Sequence, residues 1–181
     1  MYPETVQNNK AGRTVLLVED ANSGFQFFCR SAQGIECLSA SGNGNVFSSL
    51  MALKDKSPIA VIADGAAFGA FIESVLSISE ARKDVSLFLP ESFEWLILKS
   101  GVIGDSSIKD ILDAPEDYID SSEYFSWERF FYLLLESKTR DNKYMHYSKT
   151  ELPEFYVTEK NKQQILKTLP EQLQRLLQSK T

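Results

Sequence analysis

The sequence predicts an α/β protein, a three-layer sandwich on a mostly parallel sheet with a helical C-terminal extension. Three observations predict it. Short apolar-rich runs recur at residues 14–18, 35–40, 59–63 and 85–89, and those at 14–18 and 59–63 are uncharged, as strands buried on both faces are. Stretches with helical spacing separate them. Strictly alternating strands and helices are joined most simply by right-handed crossovers between parallel strands.

Each element has its own signal. Residues 1–12 are polar and read as a loose arm before the first strand, which Glu19 and Asp20 stop. Residues 22–33 place Phe25, Phe27, Phe28 and Cys29 on a short packed helix that Gly34 ends. After the second strand and the turn Ser41-Gly42-Asn43-Gly44-Asn45, the residues Val46, Phe47, Leu50, Met51 and Leu53 recur at helical spacing. Pro58 precedes the third strand and Asp64 closes it. Residues 67–80 follow a helical period through Phe68, Phe71, Ile72, Val75 and Leu76, and Pro90 ends the fourth strand. These elements make an α/β core over residues 13–98.

Residues 99–181 read as a helical extension packed on that core, with the helix carrying Phe93, Trp95, Leu96 and Leu98 leading into it. A short polar helix is expected over residues 106–112. Ser121 and Ser122 can cap an apolar helix over residues 123–137, rich in Phe, Trp and Leu. A further helix opens near Thr158. Thr168-Leu169-Pro170-Glu171 has the spacing of a capping box, which predicts a fresh helix after a bend.

Composition narrows the function classes. The 181 residues are 43% hydrophobic and 12% aromatic, enough for a sizeable core, and the chain contains neither a transmembrane stretch nor the apolar segment of a signal peptide. No membrane partner is expected, and the cytoplasm is the expected compartment. Cys29 and Cys37, the two cysteines, are too few for a disulfide scaffold or a four-ligand zinc site and read as buried, inert thiols. The net charge of −6 conceals an asymmetry: residues 1–137 carry 10 basic against 20 acidic side chains, and residues 138–181 carry 9 against 5. An acidic body does not attract nucleic acid by itself, whereas the basic tail can.

Ligands of parallel sheets bind beyond the carboxyl ends of the strands. Three features fall there: Glu19 with Asp20, the turn from Ser41 to Asn45, and Asp64. Carboxylates on neighbouring strand ends suit magnesium, a hard ion that takes oxygen ligands and keeps several waters. The turn, through Ser41, Gly42, Gly44 and Asn45, lets a phosphate or cofactor approach the backbone.

Leu16-Leu17-Val18-Glu19-Asp20 followed by a glycine-containing turn, and Val61-Ile62-Ala63-Asp64 followed by a helix, resemble the Toprim domain of topoisomerases, primases and OLD-type nucleases. The resemblance spans about residues 13–98. It implies that Glu19 and Asp64 are catalytic carboxylates holding magnesium for phosphoryl transfer. The second aspartate of the family's Asp-x-Asp pair falls on Ala66, which ligates nothing. Ser41-Gly42-Asn43-Gly44-Asn45-Val46 is similar to a Gly-Gly-x-x-Asn-Val stretch of the OLD-like branch, and Leu89-Pro90-Glu91-Ser92-Phe93-Glu94 to that branch's later glutamate. The implied metal ligands are thus Glu19, Asp64 and either Asp20 or Glu94. The implied protein is nucleic-acid-associated, of prokaryotic or mobile-element type, with a degenerate magnesium site. A catalytically silent module that holds a nucleic acid or protein partner is the alternative.

The chain is also similar to response-regulator receivers, which carry an acidic pair after the first strand and a phosphorylated aspartate after the third. Glu19-Asp20 and Asp64 fit, but Gly65-Ala66-Ala67-Phe68-Gly69 lacks the Met-Pro expected next, and no fifth strand ending in lysine follows. His146, the one histidine, has no nucleophile elbow to serve. The turn from Ser41 to Asn45 lacks a P-loop lysine and the third glycine of a dinucleotide fingerprint.

Overall fold

A computed structural model describes residues 14–32, 34–56, 58–65, 72–119 and 126–178. The expected arm at residues 1–12, Ala66, Phe68 and Phe71, and the expected caps Ser121 and Ser122 lie outside the described residues.

Four parallel strands form one sheet in the order β2-β1-β3-β4: β1 is Val15–Val18, β2 Glu36–Ser39, β3 Ile59–Ile62 and β4 Val85–Phe88. The two central strands are in direct register, Val15 opposite Ile59 and Val18 opposite Ile62, and every residue of both is buried. Continuous apolar runs are the sequence mark of strands covered on both faces.

Side chains alternate between two cores, as the period of a strand requires. Val15, Leu17, Ile59 and Val61 point to one, where Val46 and Leu50 of helix α2 (Val46–Ala52) and Val75 of α3 (Ile72–Ala81) cover them. Leu16, Val18, Ala60 and Ile62 point to the other and larger core. It takes Phe27 and Phe28 from α1 (Ser23–Ser31), and Phe93, Leu96 and Ile97 from α4 (Phe93–Ser100).

The C-terminal half also packs onto this face. Helix α5 (Ser107–Asp113) adds Ile108, α6 (Trp127–Thr139) adds Phe130, Phe131 and Leu135, and the single turn α7 (Glu154–Val157) adds Tyr156. Helices α8 (Glu159–Leu166) and α9 (Glu171–Gln178) add Ile165, Leu166, Leu173 and Leu177. Each large apolar side chain fully buried here contributes about 1.5–3 kcal/mol. This is why the extension stays on the sheet although its individual helices are short.

Two expected caps differ from the structure. The helix after residue 120 is capped by Ser126, whose hydroxyl accepts the Arg129 N–H at 3.2 Å with Ser126 itself in extended backbone. The capping box at Thr168 does not form, because the Thr168 hydroxyl donates back to the Ile165 carbonyl at 2.7 Å and Glu171 pairs with Arg175. No helix among the described residues is long and apolar enough to cross a membrane.

Candidate functional site

The parallel register brings the strand-end acids to one edge of the sheet. The Glu19 N–H donates to the Ile62 carbonyl at 2.8 Å, which prolongs the β1–β3 ladder by one step. Asp64 follows two residues beyond β3, and its N–H donates to Glu19 Oε2 at 3.3 Å. The Gly65 N–H donates to the Pro90 carbonyl at 2.6 Å, tying the same edge to the segment that leads into α4.

Asp20 has a structural task as well. Its Oδ1 accepts the N–H groups of Asn22 at 2.8 Å and Phe25 at 2.9 Å, so this carboxylate satisfies the open start of α1. Gly24 leaves room for it: a Cβ there would stand 2.7 Å from Asp20 Oδ2 and 3.3 Å from the Phe93 ring.

The turn after β2 sits beside these acids. Ser41 and Gly42 both adopt positive φ, 58° and 119°, and the Gly42 N–H donates to the Glu19 carbonyl at 2.8 Å. A φ of 119° is one that only glycine adopts readily. Asn45 uses its side-chain amide to hold the Ser41 carbonyl at 3.2 Å, and it leads from a short 3-10 turn, which includes Gly44, into α2. Ser41 and Gly42 therefore line the cleft, and Asn45 braces the turn from behind.

Glu94 completes the group. It lies in the first turn of α4, which Ser92 caps, and it is only 2% exposed. The Tyr147 hydroxyl donates to Glu94 Oε1 at 2.9 Å and stands 2.5 Å from Ser23 Oγ, so a buried chain of three side chains joins α1, α4 and the C-terminal extension. The segment around it is stitched to α1: the Ser23 N–H donates to the Lys149 carbonyl, and Gln26 bonds both the Thr150 carbonyl and the Leu152 N–H.

The result is a cleft of about 260 Å³ whose walls include Glu19, Asp20, Asp64, Glu94, Glu128 and Lys149. Five carboxyl groups thus face one ammonium, and Lys149 bonds directly to Glu128. The acids respond as crowded, desolvated carboxylates do. Burial pushes Asp64 well above its ordinary value, and Glu94 and Glu19 push it further. Burial raises Glu19, which the Asp64 N–H partly offsets, and burial raises Glu94 despite help from its own N–H and Lys149. Burial pulls the Lys149 ammonium down, but Glu128, Glu94 and Asp64 together hold it above its ordinary value.

Sequence reasoning placed Glu19, Asp20, Asp64 and Glu94 and missed Glu128, Lys149, Tyr147 and Ser23. The last four come from α6, from a loop and from α1, and no local motif marks them. Tyr147 is 1% exposed. His146 stays outside the site, 3.6 Å from Glu136 on the surface.

Among the described residues, no three His, Cys, Asp or Glu side chains stand together as a ready-made metal-binding group. The donor set at the strand ends does fit the looser mode of magnesium, which uses one or two carboxylates and keeps its remaining waters. Compared with models of protein families, with curated proteins and with solved structures, the chain matches none.

Proposed function

We propose that this chain is a Toprim-like, nucleic-acid-associated binding module that takes up magnesium weakly at Glu19 and Asp64. The observation that carries the reading is the convergence of Glu19, Asp64 and Glu94 at the carboxyl edge of β1 and β3, with their acids crowded against a single lysine. Bound there, a hydrated divalent cation would relieve that crowding and would supply Lewis acidity. Glu19 and Asp64 would hold it. Asp20 would remain at the start of α1, and Glu94, gripped by Tyr147, would add negative charge from behind.

The module reading is preferred over a nuclease because Ala66 stands where the family's pattern has its second aspartate. With so few anionic ligands, affinity falls to the range of low-charge oxygen sites, about millimolar, and turnover is little or none. Lys149 beside the acids supplies one positive charge for a phosphate at the same cleft. The test is fluorescence anisotropy of labelled single-stranded and duplex DNA with rising magnesium. Binding should appear with magnesium, disappear in Glu19→Ala and leave the DNA intact. Binding indifferent to magnesium and to Glu19→Ala would overturn the reading.

A receiver-like phosphoacceptor at Asp64 is the second reading, favoured by the presence of Lys149 in the same cleft as Asp64. Beryllofluoride with magnesium separates the two. Stoichiometric binding at Asp64 belongs to the receiver, and its absence to the Toprim-like module.

A further inference from the structure

A larger cavity than the acid cleft, about 550 Å³, lies between α4 and α5, walled by Trp95 and Leu98 of the one and by Ile108 and Leu112 of the other. The turn joining the two helices leaves its mouth open: Gly101 and Gly104 both adopt a φ of 75°, and a Cβ at Gly104 would meet nothing within 4 Å. A second cavity of about 200 Å³ is lined by Phe88, Leu89 and Pro90 after β4 and by Leu169 and Pro170 in the bend between α8 and α9. The half-buried Trp95 lines both, so the two adjoin at its indole ring.

Their chemistry differs. The smaller cavity is lined by no charged side chain, and its one hydroxyl, that of Thr168, donates to the Ile165 carbonyl at 2.7 Å. The larger has the exposed Lys99 and Lys109 in its walls, and among the described residues neither has a carboxylate partner. Lys99 Nζ instead stands 4.2 Å from the centre of the Trp95 ring, where the two cavities adjoin. Of the two acids beside these lysines, Asp105 is already engaged by Lys138 at 2.8 Å and by the Ser107 hydroxyl at 2.7 Å, and Asp113 is exposed at the end of α5. An uncharged compartment, an aromatic ring and unspent ammonium groups thus follow one another along a single trough.

We propose that this trough binds a free medium-chain alkyl carboxylate, its tail passing over Trp95 into the smaller cavity and its head held by Lys99 and Lys109. Apolar walls with a few placed polar groups are what small-ligand sites are made of, and the larger volume falls within their range of roughly 300–1,000 Å³. A flexible chain suits two compartments that adjoin at a ring, because it bends where a rigid ring system cannot. Burial of the tail supplies the affinity, and the ammonium groups select the anionic head. Lys99 lies on the Trp95 face as a cation on an aromatic ring, which holds it over the trough without neutralising its charge. This site shares no residue with the acid cleft, so it stands apart from the metal reading.

The test is a titration of the full-length protein with octanoate, decanoate and dodecanoate below their micelle concentrations, read by calorimetry and by the emission of Trp95 in a Trp127→Phe background. One saturable site is expected, about fourfold tighter for each added CH₂, with a change in Trp95 emission and no response to magnesium. Decanol and decylamine should bind at least about tenfold more weakly than decanoate. The double variant Lys99→Met with Lys109→Met alters only exposed side chains and should erase that preference, and Trp95→Ala should weaken decanoate about tenfold or more. Absence of saturable binding, affinity independent of chain length, decylamine binding as well as decanoate, or binding unchanged in both variants would overturn the proposal. So would capture of the protein by phosphatidylglycerol vesicles with no response to free decanoate, which would assign the same chemistry to a lipid surface.

Discussion

The backbone N–H of Asp64 donates to the side chain of Glu19 at 3.3 Å, so the residue that ends one central strand holds the residue that follows the next. This bond fixes two carboxylates at one edge of the sheet. It gives Glu19 one compensating donor, while desolvation and the neighbouring acids act on Asp64 largely unopposed. The site is therefore built at the expense of stability, a pattern common where function needs crowded charge.

The first expected consequence concerns Asp64→Asn. Removing a desolvated carboxylate from among Glu94, Glu19 and Glu128 should stabilise the protein at neutral pH in the absence of divalent cations. The gain should be about 1 kcal/mol, read as a rise in Tm of about 2–4 °C for a chain of this size. An unchanged or lower Tm would show that Asp64 is compensated by contacts other than these.

Stability should also depend on pH with a defined sign. Glu19, Asp64 and Glu94 all have folded-state values raised above those of the unfolded chain. The native state then binds more protons through the window above the ordinary carboxyl range. Their stabilising contribution is complete below that range and is lost as pH rises through the raised values. Asp105, held down to about 2, and Glu136 and Glu159, also lowered, act oppositely but only in more acid solution. Denaturant melts between about pH 5 and about pH 8 should therefore show stability falling as pH rises, with a shallower slope in Asp64→Asn.

Tyr147→Phe should be clearly destabilising. It leaves Glu94, 2% exposed, without its hydroxyl donor, at about 1–3 kcal/mol for an unsatisfied buried group. Combining it with Glu94→Leu should be much less than additive, because the second change removes the orphaned group. Additive losses in that double-mutant cycle would mean the two side chains act independently.

Gly24→Ala should destabilise α1 although alanine is the better helix former by about 1 kcal/mol. The new Cβ would meet Asp20 Oδ2 at 2.7 Å and Phe93 at 3.3 Å, displacing the carboxylate that caps the helix. Urea midpoints of Gly24→Ala and Asp20→Ala should fall together. A more stable Gly24→Ala protein would show that Asp20 can move aside freely.

The fold was legible where local pattern and tertiary role coincide. Buried parallel strands are uncharged throughout, so β1 and β3 stood out, and acids just beyond them pointed to the carboxyl edge. The covering of the larger sheet face was legible in outline, since Phe130, Phe131 and Leu135 recur at helical spacing. The second half of the site was not. Lys149 reaches the acids because Gln26 bonds Thr150 and Leu152 across a separation of more than a hundred residues, and no periodicity encodes such a contact. Cys29 and Cys37, expected to be buried, are both partly exposed, and β2, which carries Cys37, is an edge strand of the sheet.

The most direct test of the account is a calorimetric titration of magnesium, and of manganese as a stronger-binding substitute, into wild type, Glu19→Ala, Glu19→Gln and Asp64→Asn at neutral pH. The account predicts one saturable site in the wild type with a Kd of about a millimolar, its loss in Glu19→Ala and Asp64→Asn, and its loss in Glu19→Gln, which keeps an oxygen to accept the Asp64 N–H. Identical isotherms for wild type and all three variants would contradict it, and would leave the strand-end acids without a role in metal binding.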